Sequence, residues 1–321
     1  MENRSLNRNL HAAKNSKKDE FYTQLSDIEK ELKHYKDHFK GKVVLCNCDD
    51  PRVSNFFHYF SHNFEGLGLK KLITTCYKNQ SRDLFSQNDS ESAIYLEYTG
   101  DRNGNKVPDP EEIGIVPLKG DGDFRSDECI ELLKKADIVV TNPPFSLFRD
   151  YIEQLIKYDK KFLVIGSVNA RHYTEIFKLI KDNRLWLGYN CTRFFSKPDG
   201  SIFETARTFW YTNLDIDKRH EEITLYKKYS ADEYPSYDNL DAIDVGKTNE
   251  IPCDYEGLMG VPDGFLDNYN PDQFELIGIP FGNLGKEIGV TKNYRGRTDI
   301  AITKDGKSRC PYSRIIIKRK S

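Results

Sequence analysis

The ten residues A-D-I-V-V-T-N-P-P-F at positions 136–145 decide the fold of this chain. Four of the first five residues are apolar, Asp137 being the exception, and Ile138-Val139-Val140 is typical of a buried β-strand. Pro143 and Pro144 then end the strand, because a proline has no N–H to give to a sheet and fixes its own backbone. The stretch therefore predicts a buried strand that runs into a rigid turn.

Predicted strands and helices alternate on both sides of this stretch. The strands are expected at 43–46, 69–77, 93–98, 136–140, 161–166, 185–189 and 207–212, and the helices at 26–39, 126–135, 146–157 and 173–181, with one more after Ser54. Ser26 and Glu29 form a capping-box pattern at the first helix. The alternation predicts parallel βαβ units in a doubly wound α/β sheet, which binds its ligands at the carboxyl ends of the strands.

Charge is distributed unevenly, although the whole chain has a net charge of only -2. Residues 215–272 hold 15 acidic and 5 basic residues, whereas residues 286–321 hold 11 basic and 3 acidic residues. We therefore predict a catalytic domain over 1–215, an acidic connecting segment over 216–270 and a smaller, β-rich, basic region over 271–321. Asp305-Gly306, between two strand-like runs, predicts a hairpin in that last region.

Several classes of protein are disfavoured by what the sequence lacks. No apolar run approaches the roughly 20 residues of a membrane span, and the N-terminal residues lack the apolar stretch of a signal peptide. The seven cysteines show neither zinc spacing nor a disulfide framework. We therefore expect a cytoplasmic protein with reduced thiols, no metal site and no membrane partner.

Residues 142–145 supply the groups that a planar amine substrate needs. The side-chain oxygen of Asn142 and the carbonyl oxygen of Pro143 can each accept one N–H of such an amine. An exocyclic amine on an aromatic ring is a poor nucleophile because its lone pair is delocalised, and two positioned acceptors relieve this without a strong base. Phe145 offers a flat face for stacking, and Pro144 keeps the turn rigid. These four residues are the predicted catalytic residues.

Stretches along the whole chain resemble one family. They are KKDEFYTQ at 17–24, VVLCNCDDPRVSNFF at 43–57, GDGDFRS at 120–126, TNPPFSLF at 141–148, FWYTNLD at 209–215, MGVP at 259–262, NPDQFELIGI at 270–279 and YSRIIIKRK at 312–320. The Asn-Pro-Pro-Phe motif belongs to the D/N-P-P-Y/F signature of S-adenosylmethionine-dependent amino-methyltransferases. The set in this order resembles the EcoRI-type adenine-specific DNA modification methylases.

The resemblance implies a Rossmann-like methyltransferase sheet and S-adenosylmethionine as the cofactor. It implies methylation of adenine N6 in double-stranded DNA, after the base is flipped out of the duplex. The residues that match cofactor-binding segments of the family are Phe21 and Tyr22 near the N-terminus, Cys46, Asp49 and Asp50 after the first strand, and Asp123 and Phe124 beside the cofactor adenine.

Two of these assignments stay open. The loop after the first strand lacks the usual glycines, and either Asp49 or Asp50 could accept hydrogen bonds from the cofactor ammonium group. Phe194 or Phe195 matches a second aromatic residue near the target base.

The basic C-terminal region is expected to bind DNA, because Tyr and Asn interleave with its charges. The residues expected on DNA are Lys292, Arg295, Arg297, Lys304, Lys307 and Arg309. The resemblance further implies recognition of GAATTC and a monomer. It also implies a role in a restriction-modification system, where a cognate endonuclease would act independently.

Two alternatives remain at this stage. The same chemistry could act on another planar amine, namely an RNA adenine, a cytosine N4 or a protein glutamine. The second alternative is a DNA-binding protein without catalysis, which the atypical cofactor loop leaves open.

Overall fold

The computed structural model describes residues 22–48, 54–76, 93–105, 108–109, 112–196 and 201–320. The chain divides into two units. The first combines the chain up to residue 170 with residues 188–214, and the second combines residues 171–187 with the chain from 215 onward. Phe21, Asp49 and Asp50, which were predicted to bind the cofactor, lie outside the described residues.

The first unit is built on a nine-stranded sheet. Its strands are β1 (Tyr22–Thr23), β2 (Val43–Cys46), β3 (Lys71–Thr75), β4 (Ile94–Tyr98), β5 (Gly114–Pro117), β6 (Ile138–Thr141), β7 (Lys161–Ser167), β8 (Trp186–Ser196) and β9 (Ile202–Thr212). The order across the sheet is β1-β8-β9-β7-β6-β2-β3-β4-β5. Its helices are α1 (Leu25–Leu32), α2 (Lys36–Phe39), α3 (Asn55–His62), α4 (Phe64–Leu67), α5 (Asp127–Lys135) and α6 (Phe148–Lys157).

The centre of this sheet is parallel and its flanks are antiparallel. Strand β2 pairs in parallel with β3 and β6, and β6 pairs in parallel with β7. Strands β4 and β5 on one side, and β9 and β1 on the other, pair antiparallel to their neighbours. The fold is therefore α/β with a mixed sheet, and the expected parallel pairing holds for the central strands only.

The two serines before helices act as N-caps in the first unit. The Ser54 hydroxyl accepts a hydrogen bond from the backbone N–H of Phe57, and Ser126 does the same for Cys129 at 3.3 Å. Each bond satisfies an N–H that the first helical turn would otherwise leave without a partner. These caps fix the residues at which α3 and α5 begin.

The predicted helix over 26–39 is wrong in its continuity and in its start. The chain leaves the helix after Leu32 and enters α2 at Lys36, and Gln24 rather than Ser26 precedes the first turn. The expected apolar stripe is nevertheless buried, because two short helices present it as well as one long helix would. Its members are Ile28, Leu32, Tyr35 and Phe39.

The core of the first unit lies around the central strands. All four residues of β2 and all four of β6 are buried. Phe56 on α3 and Trp210 on β9 pack edge to face with ring centroids 6.1 Å apart. Each such buried side chain contributes about 1.5–3 kcal/mol of apolar stabilisation. This packing therefore stabilises β2 and β6 and fixes the positions of their ends.

The second unit contains a four-stranded sheet and a hairpin. Its elements are α7 (Thr174–Lys181), β10 (Ile243–Asp244), β11 (Met259–Pro262), β12 (Phe274–Gly278), α8 (Gly282–Glu287), β13 (Ile302–Lys304), β14 (Lys307–Arg309) and β15 (Arg314–Arg319). The sheet order is β10-β11-β15-β12, and β13 pairs with β14. The hairpin prediction is confirmed: Asp305 and Gly306 both adopt the positive φ values that a tight turn requires.

The acidic stretch 216–270 contains regular structure. Strands β10 and β11 come from this acidic stretch, and β11 pairs with β15 of the basic tail. Their short lengths explain why no alternating pattern was visible in the sequence. Among the helices of the described ranges, none has the length and apolar character needed to cross a membrane.

Candidate active site

Polar residues follow two neighbouring parallel strands at the carboxyl edge of the sheet. Asn47 comes directly after β2 and Asn142 directly after β6, and both are 7% exposed. The hydroxyl of Thr141, the last residue of β6, donates a hydrogen bond to the backbone carbonyl of Asn47. The two strand ends are thereby tied together, and Asn142 lies beside the turn that follows β2.

Tyr151 on α6 adds a second tie at this edge. Its hydroxyl donates a hydrogen bond to the side-chain oxygen of Asn47. Burial raises the pKa of Tyr151 well above its ordinary value, so the hydroxyl keeps its proton and remains a donor. Tyr151 therefore fixes the orientation of the Asn47 amide from the helix that follows residues 142–145.

The Asn-Pro-Pro-Phe turn is anchored at its far end by packing. Phe148 opens α6 and is buried against Gly166 on β7, where even an added Cβ atom would lie 2.4 Å from the Phe148 ring. The ring also packs edge to face on Tyr211 with centroids 5.0 Å apart. The backbone N–H of Leu147 donates to the carbonyl of Pro144 at 2.9 Å. The turn is thus fixed between β6 and α6.

Of the two candidates for a second aromatic residue, Phe195 lies at the turn. Its ring is edge to face with Phe145, with centroids 6.3 Å apart, and it is fully buried. Phe194, by contrast, is 49% exposed. The sequence left Phe194 and Phe195 as equal candidates, and Phe195 is the one whose ring contacts Phe145.

The short strand β1 brings Tyr22 to the same neighbourhood. Tyr22 pairs with Ser196, and Thr23 pairs with Phe195. The side-chain amide of Asn55 donates to the carbonyl of Thr23 at 2.8 Å, which holds β1 to the start of α3. Of the N-terminal residues predicted to bind the cofactor, Tyr22 therefore lies next to the aromatic pair.

The segment 120–124 packs against the ends of β3 and β4. Gly122 has φ +79°, and a Cβ atom there would lie 2.1 Å from the carbonyl oxygen of Cys76. Phe124 is buried edge to face on Tyr151 with centroids 5.0 Å apart, and its carbonyl accepts a hydrogen bond from Gln154 at 2.9 Å. The segment is therefore held close to the carboxyl edge of the sheet, where Cys46 is buried at the end of β2.

Asp123 carries an ionised carboxylate in this segment. Arg125 binds both of its oxygens, at 2.9 and 2.6 Å, and the Arg125 backbone N–H donates at 2.8 Å. Burial alone would raise the pKa of Asp123, but the bonds from Arg125 outweigh it and lower this pKa. In this structure the Asp123 carboxylate is therefore bound by Arg125, two residues further along the chain.

These residues fit an S-adenosylmethionine molecule by their chemistry. Gly122 lets the backbone of this segment approach the carbonyl oxygen of Cys76, where there is no room for a side chain. An ionised carboxylate at Asp123 and an aromatic ring at Phe124 flank it. An acceptor and a flat apolar face are the groups that a purine ring requires.

In the second unit, all six basic residues predicted to contact DNA are exposed. They are Lys292, Arg295, Arg297, Lys304, Lys307 and Arg309. Lys304 and Lys307 face each other across the hairpin turn. The Arg309 guanidinium lies 3.4 Å from the carboxylate of Asp244. The structure thus gathers these charges on a hairpin and on one further turn.

That further turn, residues 293–297, is organised by the buried side chain of Asn293. Its oxygen accepts hydrogen bonds from the backbone N–H groups of Arg295 at 2.9 Å and Arg297 at 3.2 Å. The Arg295 guanidinium lies 5.1 Å from the ring centroid of Tyr294. Sequence reasoning missed Asn293 as well as Asn47 and Tyr151, because no spacing pattern distinguishes a buried polar residue from a surface one.

Comparison with known proteins places the chain among DNA methylases. Residues 9–320 match the family model described as adenine-specific methyltransferase EcoRI. The chain is 48% identical to the type II methyltransferase M.EcoRI of Escherichia coli, with 100% of this chain and 99% of that protein covered. It is 39% identical to the type II methyltransferase M.MpnI of Mycoplasma pneumoniae, with 97% of this chain and 98% of that protein covered.

A third relative is the type II methyltransferase M.MgeORF184P of Mycoplasma genitalium, which is 40% identical over 97% of this chain and 98% of its own length. No solved structure matches the chain. The similarity therefore extends over both units of the fold.

Proposed function

We propose a reaction from one premise: this chain belongs to the EcoRI family of adenine-specific methyltransferases. It is an adenine-specific DNA methyltransferase of the type II class found in restriction-modification systems. We infer that it transfers a methyl group from S-adenosylmethionine to N6 of an adenine in double-stranded DNA. The observation that carries this inference is the buried Asn142, fixed between β6 and α6 beside an aromatic pair.

The turn after β6 holds the target amine in this reaction. The Asn142 side-chain oxygen and the Pro143 carbonyl accept the two N–H groups of adenine N6, which draws electron density back to the nitrogen. Phe145 stacks on the base, and its edge-to-face contact with Phe195 keeps the ring in one orientation. Positioning and electrostatics supply the rate enhancement, and no covalent intermediate with the protein is required.

S-adenosylmethionine, when bound, supplies an electrophilic methyl group. We assign Asp123 and Phe124 to its adenine, and Cys46 with Asp49 or Asp50 to the loop that holds its amino acid part. We assign Tyr22, which lies on β1, and Phe21 to the segment that closes over the cofactor. The free thiols at all seven cysteines agree with a cytoplasmic location, where the DNA substrate lies. The sheet is, on this proposal, the doubly wound Rossmann-like sheet of methyltransferases.

DNA recognition is assigned to the basic C-terminal region. Its six exposed basic residues would bind phosphates and base edges, while the chain up to residue 215 carries catalysis and the acidic stretch 216–270 joins the two. The target adenine is stacked inside the duplex, so it must be flipped out at a cost of a few kcal/mol. We propose GAATTC as the recognition site and a monomer that acts independently of an endonuclease.

The test is methylation of an unmethylated plasmid by the purified protein, with S-adenosylmethionine as the methyl donor. Mass spectrometry of the nucleosides should detect N6-methyladenine, and sequencing should locate it within GAATTC. Modified adenines in another sequence would overturn the proposed site alone. N4-methylcytosine, or folded protein that binds DNA and methylates nothing, would overturn the proposed reaction.

A further inference from the structure

Tyr312 stands out from every other large apolar side chain in the described ranges by its exposure. This residue is 91% exposed, and the next most exposed such residue is Ile202 at 64%. Solvent-exposed tyrosines usually lie flat on neighbouring residues, since their rings are mostly apolar. Tyr312 instead projects from the turn that joins the hairpin β13–β14 to the sheet strand β15.

The backbone on both sides of this ring is fixed. Pro311 is buried, and Ser313 has φ +40°, in the left-handed region that a residue with a side chain rarely adopts. The Ser313 carbonyl accepts a hydrogen bond from the backbone N–H of Asp263 at 3.1 Å, and the Ser313 hydroxyl donates to the Asp263 carboxylate at 2.8 Å. The Tyr312 carbonyl accepts from Arg314 at 2.9 Å.

A buried ionic network supports the Ser313 side of the turn. The carboxylate of Asp263 lies 2.8 Å from the Arg171 guanidinium and 3.1 Å from the His172 ring. The Arg171 side chain is only 7% exposed, and a buried guanidinium is costly unless it is paired as it is here. This network therefore gives the turn one conformation.

A second carboxylate supports the other side. Asp244 is buried and accepts hydrogen bonds from Arg314 at 2.9 Å and from the Tyr237 hydroxyl at 2.8 Å. Arg314 thus joins the fixed carbonyl of Tyr312 to the strand β10. Both networks therefore support the same turn, and the aromatic residue exposed on that turn is Tyr312.

The surroundings of Tyr312 are basic and polar. Arg309 precedes it on β14 and is exposed. The side-chain amide of Asn293 lies 3.3 Å from the sulfur of Cys310. The first residue of the turn 293–297 therefore contacts the segment that leads to Tyr312. Arg295 and Arg297 on that turn are exposed as well. This pattern of exposed positive charge is complementary to a polyanion.

We propose that Tyr312 contacts the bound duplex by stacking its ring on a base. The inference rests on the proposed function, because it takes DNA as the substrate. A ring on a rigid turn meets a base with little loss of backbone freedom, and insertion of an apolar side chain between base steps is one way in which proteins contact DNA. Arginines around it hold the phosphates while the ring supplies apolar contact.

The experiment measures the Kd of a duplex that contains the recognition site, and its salt dependence, for four proteins: wild type, Tyr312→Ala, Tyr312→Phe and Tyr226→Ala. Tyr226 is the matched control, because it is 62% exposed but lies in the acidic stretch. Tyr312→Ala should raise Kd about ten- to hundredfold, the effect of losing one stacked base. The slope of log Kd against log salt should be unchanged, since no charge is lost.

Tyr312→Phe should bind as the wild type does, because it keeps the ring, and Tyr226→Ala should be unaffected. All four proteins should unfold at the same temperature, since both positions are exposed. Wild-type affinity in Tyr312→Ala would overturn the stacking contact, as would an equal loss in Tyr312→Phe. Wild-type protein that binds the duplex but forms no N6-methyladenine would overturn the proposed function instead, which separates the two failures.

Discussion

The ring of Phe148 occupies the space that a side chain at Gly166 would need. An added Cβ atom at Gly166 would lie 2.4 Å from one ring carbon of Phe148 and 2.6 Å from another. This contact joins the first residue of α6 to β7, the strand next to β6. The turn over 142–147 is therefore held at one end by the buried strand β6 and at the other by the packed ring of Phe148. Its position depends on both.

Gly166→Ala should move that turn. The methyl group forces Phe148 away from β7, and overpacking of this kind costs about 1–3 kcal/mol. Urea denaturation should detect the loss of stability, and methylation of adenine should fall with it. Gly66→Ala is the matched control, because a Cβ atom at Gly66 meets nothing within 4 Å. Unchanged stability and activity in Gly166→Ala would contradict the proposed anchor.

Gly122→Ala should weaken cofactor binding. The position combines a φ of +79° with a carbonyl oxygen 2.1 Å from the new Cβ atom, so the segment over 120–124 must shift away from β3. Isothermal titration calorimetry with S-adenosylmethionine should show a loss of affinity of about tenfold or more, and tenfold corresponds to about 1.4 kcal/mol. Gly120→Ala, where a Cβ atom meets nothing within 4 Å, should bind normally. Equal affinities for the two variants would count against this cofactor segment.

Asp263 should make stability depend on pH in a narrow acidic window. Burial alone would raise its pKa, but the hydrogen bonds from His172 and Ser313 and the charge of Arg171 lower it from 3.8 to about 2. Because the folded pKa is below the unfolded pKa, the stabilisation of about 2 kcal/mol is fully present above about pH 4 and is lost as pH falls toward 2. Urea denaturation of wild type and Asp263→Asn should therefore give a difference that shrinks from pH 5 to pH 3. A difference that stays constant over this range would refute the assignment.

Asn293→Ala should loosen the turn over 293–297. The substitution removes the acceptor of two backbone N–H groups on exposed residues, and each such hydrogen bond contributes about 0.5–1.5 kcal/mol of net stability. Affinity for the recognition duplex should fall, because Arg295 and Arg297 are no longer held in place. Binding to duplex and thermal unfolding should be compared with those of Asn268→Ala, an exposed position in the same unit. The proposal fails if both variants bind DNA equally well.

The sequence was sufficient to predict the parts of the fold that depend on local pattern. The apolar runs of β2 and β6, the helix that begins after Ser54 and the Asp305-Gly306 turn each follow from a few adjacent residues. The Asn-Pro-Pro-Phe turn was placed at a strand end for the same reason. These features require no knowledge of which elements become neighbours.

The rest depends on contacts between distant residues, which no periodicity encodes. The antiparallel pairing of β4 with β3 and the join between β11 and β15 bring together residues far apart in the chain. Glu31 shows the same limit: it lies on a polar helix position, yet it is buried and accepts hydrogen bonds from the backbone N–H groups of Tyr189 and Asn190. A buried carboxylate of this kind looks like a surface residue in the sequence.

The central claim is that Asn142 holds the target amine, and single-turnover methylation by Asn142→Ala tests it most directly. The variant and the wild type should be incubated with the same duplex and S-adenosylmethionine, and N6-methyladenine should be quantified by mass spectrometry. Removing one of two positioned acceptors should lower the rate by at least about a hundredfold, while the Kd for the duplex and the unfolding temperature stay close to those of the wild type. A wild-type rate of methylation in Asn142→Ala would contradict the account.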